Sequence, residues 1–182
     1  MKPSIIQKDY YRKTGRYERF VLFKGFFDPG IRFLYFLRKS QQTNAKSPLG
    51  FFYRILLRRY QLKYGFQISA KTRIGEGLYL GHWGAIVINP SAKIGKNCNI
   101  SHGVTIGQTN RGDKKGVPII GDNVWIGANA VIVGRIKIGN NVLIAPNSYV
   151  VNDIPDDSIA VGNPARTMIS ENATDGYINN RV

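Results

Sequence analysis

The sequence predicts a mainly β fold, in which residues 66–166 wind into a left-handed parallel β-helix of six-residue repeats behind a short, basic, α-helical region. Aliphatic residues recur every six positions in this part of the chain, and most of the positive charge lies before it. With 182 residues, the chain suits one compact domain with an appendage. We therefore divide it into a helical region, 1–65, the β-helix, 66–166, with a loop at 108–118, and a C-terminal tail, 167–182.

The N-terminal region carries most of the charge. Of the formal net charge of +15, residues 1–65 contribute fifteen Lys and Arg against three acidic residues, whereas residues 66–182 contain eleven basic and eight acidic residues. Helices are predicted at residues 5–23, 29–40 and 48–64 from their hydrophobic spacing. The two parts of the chain therefore differ in charge as well as in period.

In the last predicted helix, apolar and basic side chains alternate at helical spacing. The apolar ones are Phe51, Phe52, Ile55, Leu56 and Leu62, and the basic ones are Arg54, Arg58, Arg59 and Lys63. Such a helix fits packing against the β-helix or a second subunit, with the basic stems along the apolar surface. It also fits peripheral contact of residues 1–65 with an anionic membrane. Basic charge alone is a weak signal for nucleic acid, so no nucleic-acid partner is expected.

The single cysteine and the absence of targeting signals bear on the compartment. Cys98 has no partner for an internal disulfide and occupies a small position near a repeated aliphatic residue, which indicates core packing rather than a reactive thiol. Neither a signal peptide nor an apolar stretch of transmembrane length is visible. We expect a cytoplasmic protein, with peripheral contact at the inner face of the cell membrane as a further option.

A period of six defines the second part of the chain. Thirteen positions, all Ile, Leu or Val, follow it in three registers: Ile68, Ile74, Leu80; Ile88, Ile94, Ile100, Ile106; and Ile120, Ile126, Ile132, Ile138, Ile144, Val150. A helix would repeat apolar residues at three and four positions and a simple strand at two. Short strands joined at corners explain a period of six residues, and three such strands close a coil of about eighteen residues around a shared core. Glycine follows seven of these anchors, and we expect it to permit the corner conformation.

The period is interrupted between Ile106 and Ile120, where residues 108–118 read QTNRGDKKGVP. This segment is polar, contains two glycines and ends in proline, so it is predicted to be a loop that leaves the β-helix. Loops on a rigid scaffold often carry binding residues. We expect this one beside the active groove, with Asp113 and Lys114 contacting the acceptor or a CoA phosphate; a solvated charge cluster is the alternative.

The chain has two histidines, His82 and His102. Each is the third residue of its hexad, and both hexads form the third side of their coil. Because adjacent coils lie about 4.8 Å apart, the two imidazoles are predicted to stack on one face. Histidine is the usual general base near neutral pH, so this face is the predicted site of acid–base chemistry.

Two long segments carry a family resemblance: residues 77–107, GLYLGHWGAIVINPSAKIGKNCNISHGVTIG, and residues 116–166, which begin GVPIIGDNVWIG and end AVGNPAR. They resemble the serine acetyltransferase branch of the hexapeptide-repeat acyltransferases, and more closely its members encoded with capsule, O-antigen and exopolysaccharide genes. The H-x-G-x-I-V segment at His82 is the most specific element. The resemblance implies an acetyl-CoA-dependent O-acetyltransferase that assembles as a homotrimer.

The resemblance also implies roles for single residues. His82 takes the position of the catalytic base, whereas His102 could hold the acceptor, tune His82 or itself be the base. CoA would lie between subunits, with small residues beside its pantetheine arm and a basic turn at its phosphate end. The residues concerned are Gly127, Ala128 and Ala145 for the arm, and Asn163, Pro164 and Arg166 for the phosphate end. Trp83 would stack on the acceptor or pack at a subunit interface.

Three departures from the serine enzymes led us to expect a different acceptor. Gln67 stands where those enzymes have an aspartate that orients the histidine, so we place it at the acceptor site. Residues 116–118, Gly-Val-Pro, replace an Arg-His pair that holds the amino acid, and the N-terminal region is shorter. We therefore expect acetyl transfer to a sugar hydroxyl of a surface polysaccharide or its precursor, with serine O-acetylation for cysteine biosynthesis as the alternative.

Two further classes remain as alternatives. A metal enzyme of the γ-carbonic anhydrase type shares this fold but needs three imidazoles for each zinc, and this sequence has two; no metal is therefore expected. A non-catalytic scaffold that binds a membrane or nucleic acid through residues 1–65 is the other.

Overall fold

The computed structural model describes residues 2–182 as four helices followed by fifteen short strands. The helices are α1 (Ile5–Thr14), α2 (Val21–Lys24), α3 (Pro29–Gln42) and α4 (Pro48–Tyr64). The strands are β1 (Phe66–Ile68), β2 (Arg73–Ile74), β3 (Tyr79–Leu80), β4 (Ile86–Ile88), β5 (Lys93–Ile94), β6 (Asn99–Ile100), β7 (Thr105–Gly107), β8 (Ile119–Ile120), β9 (Trp125–Ile126), β10 (Val131–Val133), β11 (Lys137–Ile138), β12 (Val142–Ile144), β13 (Tyr149–Val150), β14 (Ser158–Gly162) and β15 (Ala165–Ile169).

The strands stack into three sheets that form the faces of a solenoid. Sheet A has the order β1-β4-β7-β10-β13, sheet B the order β2-β5-β8-β11, and sheet C the order β3-β6-β9-β12-β14-β15. Successive coils contribute strands to the same faces, and the pairs within the sheets are parallel except for β14 with β15. The predicted fold class, a left-handed parallel β-helix behind a helical N-terminal region, is confirmed.

The aliphatic anchors form the core of the solenoid. All thirteen are buried, with at most 8% of each side chain exposed. In sheet A the register stacks them directly: Ile68 pairs with Ile88, Ile88 with Ile106, Ile106 with Ile132, and Ile132 with Val150. Full burial of one such side chain stabilises the fold by about 1.5–3 kcal/mol, so the column holds successive coils together.

Five of the seven glycines after the anchors permit close packing between coils rather than the corner conformation we expected; these are Gly75, Gly95, Gly121, Gly127 and Gly139. A Cβ on Gly95 would lie 2.4 Å from the carbonyl oxygen of Gly121, and one on Gly121 would lie 2.6 Å from that of Gly139. None of the seven, all within the described residues, has a positive φ. The left-handed corners are instead occupied largely by Asn97, Asn123, Asn129, Asn141 and Asn147, with φ between 52° and 60°. Asparagine tolerates this conformation because its short polar side chain bonds locally.

The first predicted helix is divided in two. α1 ends where Gly15 adopts a φ of 69° and donates its N–H to the carbonyl of Tyr11. The chain then runs without helix to Val21, where α2 begins. A glycine in the left-handed conformation is a common helix stop, and it accounts for the difference from the predicted span.

A buried ion pair fastens the helices to the first coil. The Nε of Arg38 donates to Asp9 at 2.7 Å, and both side chains are at most 2% exposed. Arg38 also donates to the carbonyls of Ile74 and Gly75 at 2.8 and 2.6 Å, and Asp9 accepts the N–H of Leu78 at 3.0 Å. Burial raises the pKa of the Asp9 carboxyl, while the Arg38 charge acts in the opposite direction. The pair thus joins α1 and α3 to the start of the solenoid.

The apolar face predicted for α4 points away from the core. Its exposed members are Phe51 (64%), Phe52 (53%), Ile55 (51%) and Leu62 (68%). α4 packs inward instead through its tyrosines, since the ring of Tyr60 stacks between those of Phe36 and Tyr64 at 5.2 and 5.5 Å. Packing of that apolar face on the β-helix, one of the two roles expected for it, is therefore not seen within one protomer.

The C-terminal tail covers part of sheet C. The ring of Tyr177 lies 4.7 Å from that of Trp125, and its carbonyl accepts the side-chain amide of Asn99 at 2.8 Å. Val182 exchanges two hydrogen bonds with Asn97, at 2.9 and 3.1 Å. The chain boundary predicted at residue 166 falls inside β15, which pairs with β14.

Cys98 is fully buried, and burial raises the pKa of its thiol to about 12. The thiol is therefore protonated at neutral pH and inert, as expected of a core position. Across residues 2–182, no helix combines the length and the apolar character needed to cross a membrane.

Candidate active site

His82 and His102 occupy the same corner of two successive coils. His82 lies between β3 and β4 and His102 between β6 and β7, so both stand where the chain passes from sheet C to sheet A. Their ring centroids are 5.7 Å apart and the ring planes are nearly perpendicular, at 88°. The structure thus brings together the two imidazoles that the repeat predicted to share a face.

The backbone around His82 is held by the end of α4. Gly84 donates its N–H to the carbonyl of Tyr64 at 2.9 Å, and Ile86 donates to that of Gly65 at 3.1 Å. Gly84 has a φ of 118°, a conformation open to glycine because it lacks a Cβ. The helical region therefore helps to set the position of the histidine corner.

Both imidazoles are free to act on a bound molecule. Each histidine is exposed, and within residues 2–182 neither ring makes a hydrogen bond or an ion pair. A ring nitrogen of each can therefore accept a proton from a hydroxyl, or donate a hydrogen bond to it. This arrangement suits general acid–base chemistry on a small acceptor.

Small residues continue the same corner beyond the histidines. Gly127 and Ala128 follow β9, and Ala145 follows β12, at the equivalent positions of the next two coils. A Cβ on Gly127 would lie 2.6 Å from the backbone nitrogen of Pro146. The three residues predicted to flank the pantetheine arm therefore stand in line with His82 and His102.

The predicted phosphate-end residues lie at the far end of this line. Asn163 and Pro164 form the exposed turn between β14 and β15, and the exposed Arg166 pairs in register with Val161. The N–H of Ala145 donates to the carbonyl of Ala160 at 2.8 Å, so the turn follows the coil of Ala145. All six residues expected to contact CoA thus run along one edge from the histidines to the hairpin.

Trp83 lies at the histidine corner, where it is 61% exposed beside His82. Gln67 lies on the outer face of sheet A, exposed on β1 opposite Val87, and it lines an open cavity of about 760 Å³ together with Arg58 of α4. That cavity is lined by neither histidine and extends towards Asn89 and Gly107 at the other end of the sheet A strands. Among the described residues no hydrogen bond joins Gln67 to His82.

The loop 108–118 lies at the other end of the sheet A strands. It leaves after β7 and returns at β8, the corner between sheets A and B. The carbonyl of Asp113 accepts a hydrogen bond from Arg135 at 2.9 Å, and Lys114 donates to the carbonyl of Val151 at 2.8 Å. Within one protomer, therefore, Asp113 and Lys114 are not brought to the histidines, contrary to our expectation. Strands β4 and β7 separate the two corners.

A metal centre finds no support in the part of the chain that the structure describes. In residues 2–182 no group of three or more His, Cys, Asp or Glu side chains is arranged to hold an ion.

Comparisons with known proteins identify relatives of this β-helix. Residues 118–152 match the family model described as bacterial transferase hexapeptide (six repeats). The serine acetyltransferase of Helicobacter pylori is 34% identical over 143 residues, which are 79% of this chain and 83% of that protein. That of Synechococcus elongatus is 37% identical over 115 residues, 63% of this chain and 47% of that protein.

Solved structures agree with these relatives. The serine acetyltransferase of Neisseria gonorrhoeae in complex with serine superposes with a TM-score of 0.70 and 32% identity, covering 90% of this chain and 66% of that one. The soybean apoenzyme gives a TM-score of 0.71 at 30% identity, with the same coverage. The chain thus spans about half the length of the Synechococcus relative and about two thirds of these two solved chains.

The comparisons correct one prediction and confirm a broader one. The expected likeness to capsule and O-antigen O-acetyltransferases, and with it the saccharide acceptor, is wrong, because these relatives are serine acetyltransferases. The error has a physical cause: the hexads specify a fold, and three missing polar residues were too few to identify an acceptor. The hexapeptide-repeat acyltransferase class is confirmed. With 34% identity across about four fifths of both chains, the protein belongs to the serine acetyltransferase family of hexapeptide-repeat transferases.

Proposed function

We propose that the protein is an acetyl-CoA-dependent serine O-acetyltransferase, which makes O-acetylserine and free CoA. The observation that carries this proposal is the pair of unbonded imidazoles, 5.7 Å apart at one corner, in a chain of the serine acetyltransferase family. The gonococcal relative was solved with serine bound, which supports serine as the acceptor here.

In this proposal His82 is the general base. A ring nitrogen takes the proton of the serine hydroxyl as that oxygen attacks the thioester carbon, so that a C–O bond forms and an oxyanion develops. When the tetrahedral intermediate collapses, the C–S bond breaks and the imidazolium returns its proton to the departing thiolate. A backbone N–H near the corner is the candidate donor to the oxyanion.

His102 is the second catalytic candidate. Its nearly perpendicular ring, one coil beyond His82, is placed to bind the serine hydroxyl or its carboxylate while His82 removes the proton. Gln67 is neutral and cannot stabilise an imidazolium as an aspartate would. The second imidazole is therefore the nearest side chain that could orient the acceptor.

The line of small residues beyond the histidines is the proposed path of CoA. Gly127, Ala128 and Ala145 are the small residues along this edge, and the pantetheine arm would lie beside them. Arg166, exposed at the hairpin, suits a phosphate at the far end because its guanidinium is permanently charged. The turn residues Asn163 and Pro164 would flank the adenine.

Acceptor binding is proposed to involve a neighbouring protomer. The family resemblance implies a homotrimer, and in such an assembly the loop of one subunit can approach the histidine corner of the next. Asp113 and Lys114 would then contact the acceptor across the interface, with Trp83 packed between subunits or against it. Residues 116–118, which lack the Arg-His pair, leave the binding of the serine carboxylate to other groups, of which His102 is the candidate beside His82.

The proposal is tested by release of CoA thiol from acetyl-CoA by the purified protein. L-serine should accelerate release well above the rate without acceptor. L-alanine, which lacks only the hydroxyl, should not. Equal rates with serine, with alanine and without acceptor would overturn the assignment.

A further inference from the structure

Four phenylalanines form an exposed aromatic surface on the helical region, far more open than a folded protein usually leaves such side chains. These are Phe20 (64% exposed), Phe23 (79%), Phe26 (48%) and Phe27 (91%). Phe20, Phe23 and Phe26 line one open cavity of about 370 Å³, and the ring of Phe27 lies 5.5 Å from that of Phe26. We call these four residues the aromatic surface. Clustered exposed apolar side chains mark an interaction site.

Basic side chains are interleaved with the aromatic surface. The guanidinium of Arg19 lies 5.7 Å from the ring centre of Phe20, and that of Arg32 lies 4.4 Å from that of Phe26. Lys24 is exposed between Phe23 and Phe26 in the chain. The surface is therefore apolar and cationic at once.

The acidic residues of the helical region do not offset this charge at the surface. Asp9 is buried against Arg38, and Asp28 pairs with Lys13 and caps α3 through the N–H of Ile31. The carboxylate of Glu18 accepts the N–H groups of Arg19 and Phe20. Asp9 and Asp28 are thus balanced by Arg38 and Lys13, and the single remaining carboxylate, Glu18, is outnumbered at the surface by Arg19, Lys24 and Arg32.

We propose that the aromatic surface docks the protein on an anionic lipid bilayer, with the phenylalanines in the acyl boundary and Arg19 and Lys24 at the headgroups. Apolar area and attraction to anionic lipid act together in such binding. A second copy of this chain fits the same surface less well, because each copy brings a helical region of net charge +12, fifteen basic residues against three acidic ones. The inference does not depend on the acceptor of the acetyl group.

Vesicle sedimentation with the full chain tests the proposal. Wild-type protein should sediment with vesicles that contain phosphatidylglycerol and stay in solution with pure phosphatidylcholine. The double variant Phe23→Ser/Phe27→Ser should bind the anionic vesicles with an affinity reduced by at least about tenfold. Arg19→Gln/Lys24→Gln should weaken binding by about fivefold for each cation removed.

The matched controls replace apolar and basic side chains that are also exposed but lie on the solenoid. Met168→Ser/Ile169→Ser removes apolar side chains that are 53% and 71% exposed, and Lys93→Gln/Lys137→Gln removes two exposed cations of sheet B; both should bind as wild type does. The circular dichroism and the thermal unfolding midpoint of the aromatic variant should match those of wild type, which shows that it is folded.

Three results would overturn the proposal. The first is that wild-type protein does not bind anionic vesicles. The second is that the control variants lose as much vesicle binding as the aromatic and cation variants do. The third is a change of oligomeric mass in the aromatic variant with vesicle binding intact, which would make the aromatic surface a protein interface.

Discussion

At the scale of single residues, the site depends on which side chain occupies one corner of each coil. His82 and His102 stand at that corner in the first two coils, and Ala128 stands there in the third. In the proposed mechanism, the two imidazoles form the reactive end of this edge and the methyl group of Ala128 lies at its CoA-binding end. A substitution at this corner should therefore change chemistry or CoA affinity without disturbing the core.

The role of His102 can be separated from that of His82 by kinetics. If His102 positions the acceptor, His102→Ala should raise the KM for serine by roughly tenfold or more with a smaller effect on kcat. His102→Gln, which keeps a hydrogen-bonding group, should recover part of the affinity. A kcat lowered by a factor of about 10²–10⁴ with KM unchanged would instead make His102 the base.

At the scale of the elements, the coils approach too closely for a side chain after five of the anchors, which explains Gly75, Gly95, Gly121, Gly127 and Gly139. This closeness is a property of neighbouring coils rather than of one corner. Asparagine provides the left-handed turns that we had assigned to glycine. Hexad patterns therefore encode spacing between coils as well as the direction of the chain.

Replacing Gly121 tests this spacing. Gly121→Ala would place a Cβ 2.6 Å from the carbonyl oxygen of Gly139, a backbone atom that cannot move alone. We expect a loss of about 1–3 kcal/mol in the free energy of unfolding, measured by urea denaturation. Gly107→Ala is the matched control, since its Cβ would meet only a side-chain methyl of Val133 at 3.1 Å; an equal loss there would contradict the explanation.

The Asp9–Arg38 ion pair links the N-terminal helices to the first coil of the solenoid. Asp9→Ala would leave a buried guanidinium without its counter-charge and should cost about 3–5 kcal/mol. Asp9→Ala/Arg38→Met should be more stable than the single variant because the unpaired charge is gone. Thermal unfolding measures both, with the exposed Glu171→Ala as the control. A single variant no less stable than this control would show that the pair does not join the two regions.

At the scale of the whole molecule, the β-helix was predictable because its signal is local and repeated. An aliphatic anchor is buried at every sixth residue, and this phase alone predicted that His82 and His102 lie on one face of neighbouring coils. The placement of the loop was not predictable in the same way: a break in the period shows that the chain leaves the solenoid, while the contacts of Asp113 and Lys114 depend on later coils. The apolar face of α4 was visible in the sequence, but its spacing could not decide between packing on the β-helix and facing outward; the structure leaves Phe51 and Phe52 exposed.

The acceptor was the least predictable property. The residues that bind a small molecule are few and lie on loops and corners, whereas identity with relatives is spread through the coils. Gln67 and residues 116–118 pointed away from serine, and the family relationship, which extends over 143 residues, points to it. How serine would be bound without the loop Arg-His pair is the next question for the proposed function, and His102 is the candidate side chain that lies beside His82.

The most direct test of the account is to identify the product made by wild-type protein and by His82→Ala from acetyl-CoA and L-serine. By mass spectrometry, wild type should form O-acetylserine in amounts equal to the CoA released. His82→Ala should remain folded, with its β-sheet circular dichroism unchanged, and should lose a factor of about 10²–10⁴ in rate. Formation of O-acetylserine at the wild-type rate by His82→Ala, or no O-acetylserine from wild type, would contradict the account.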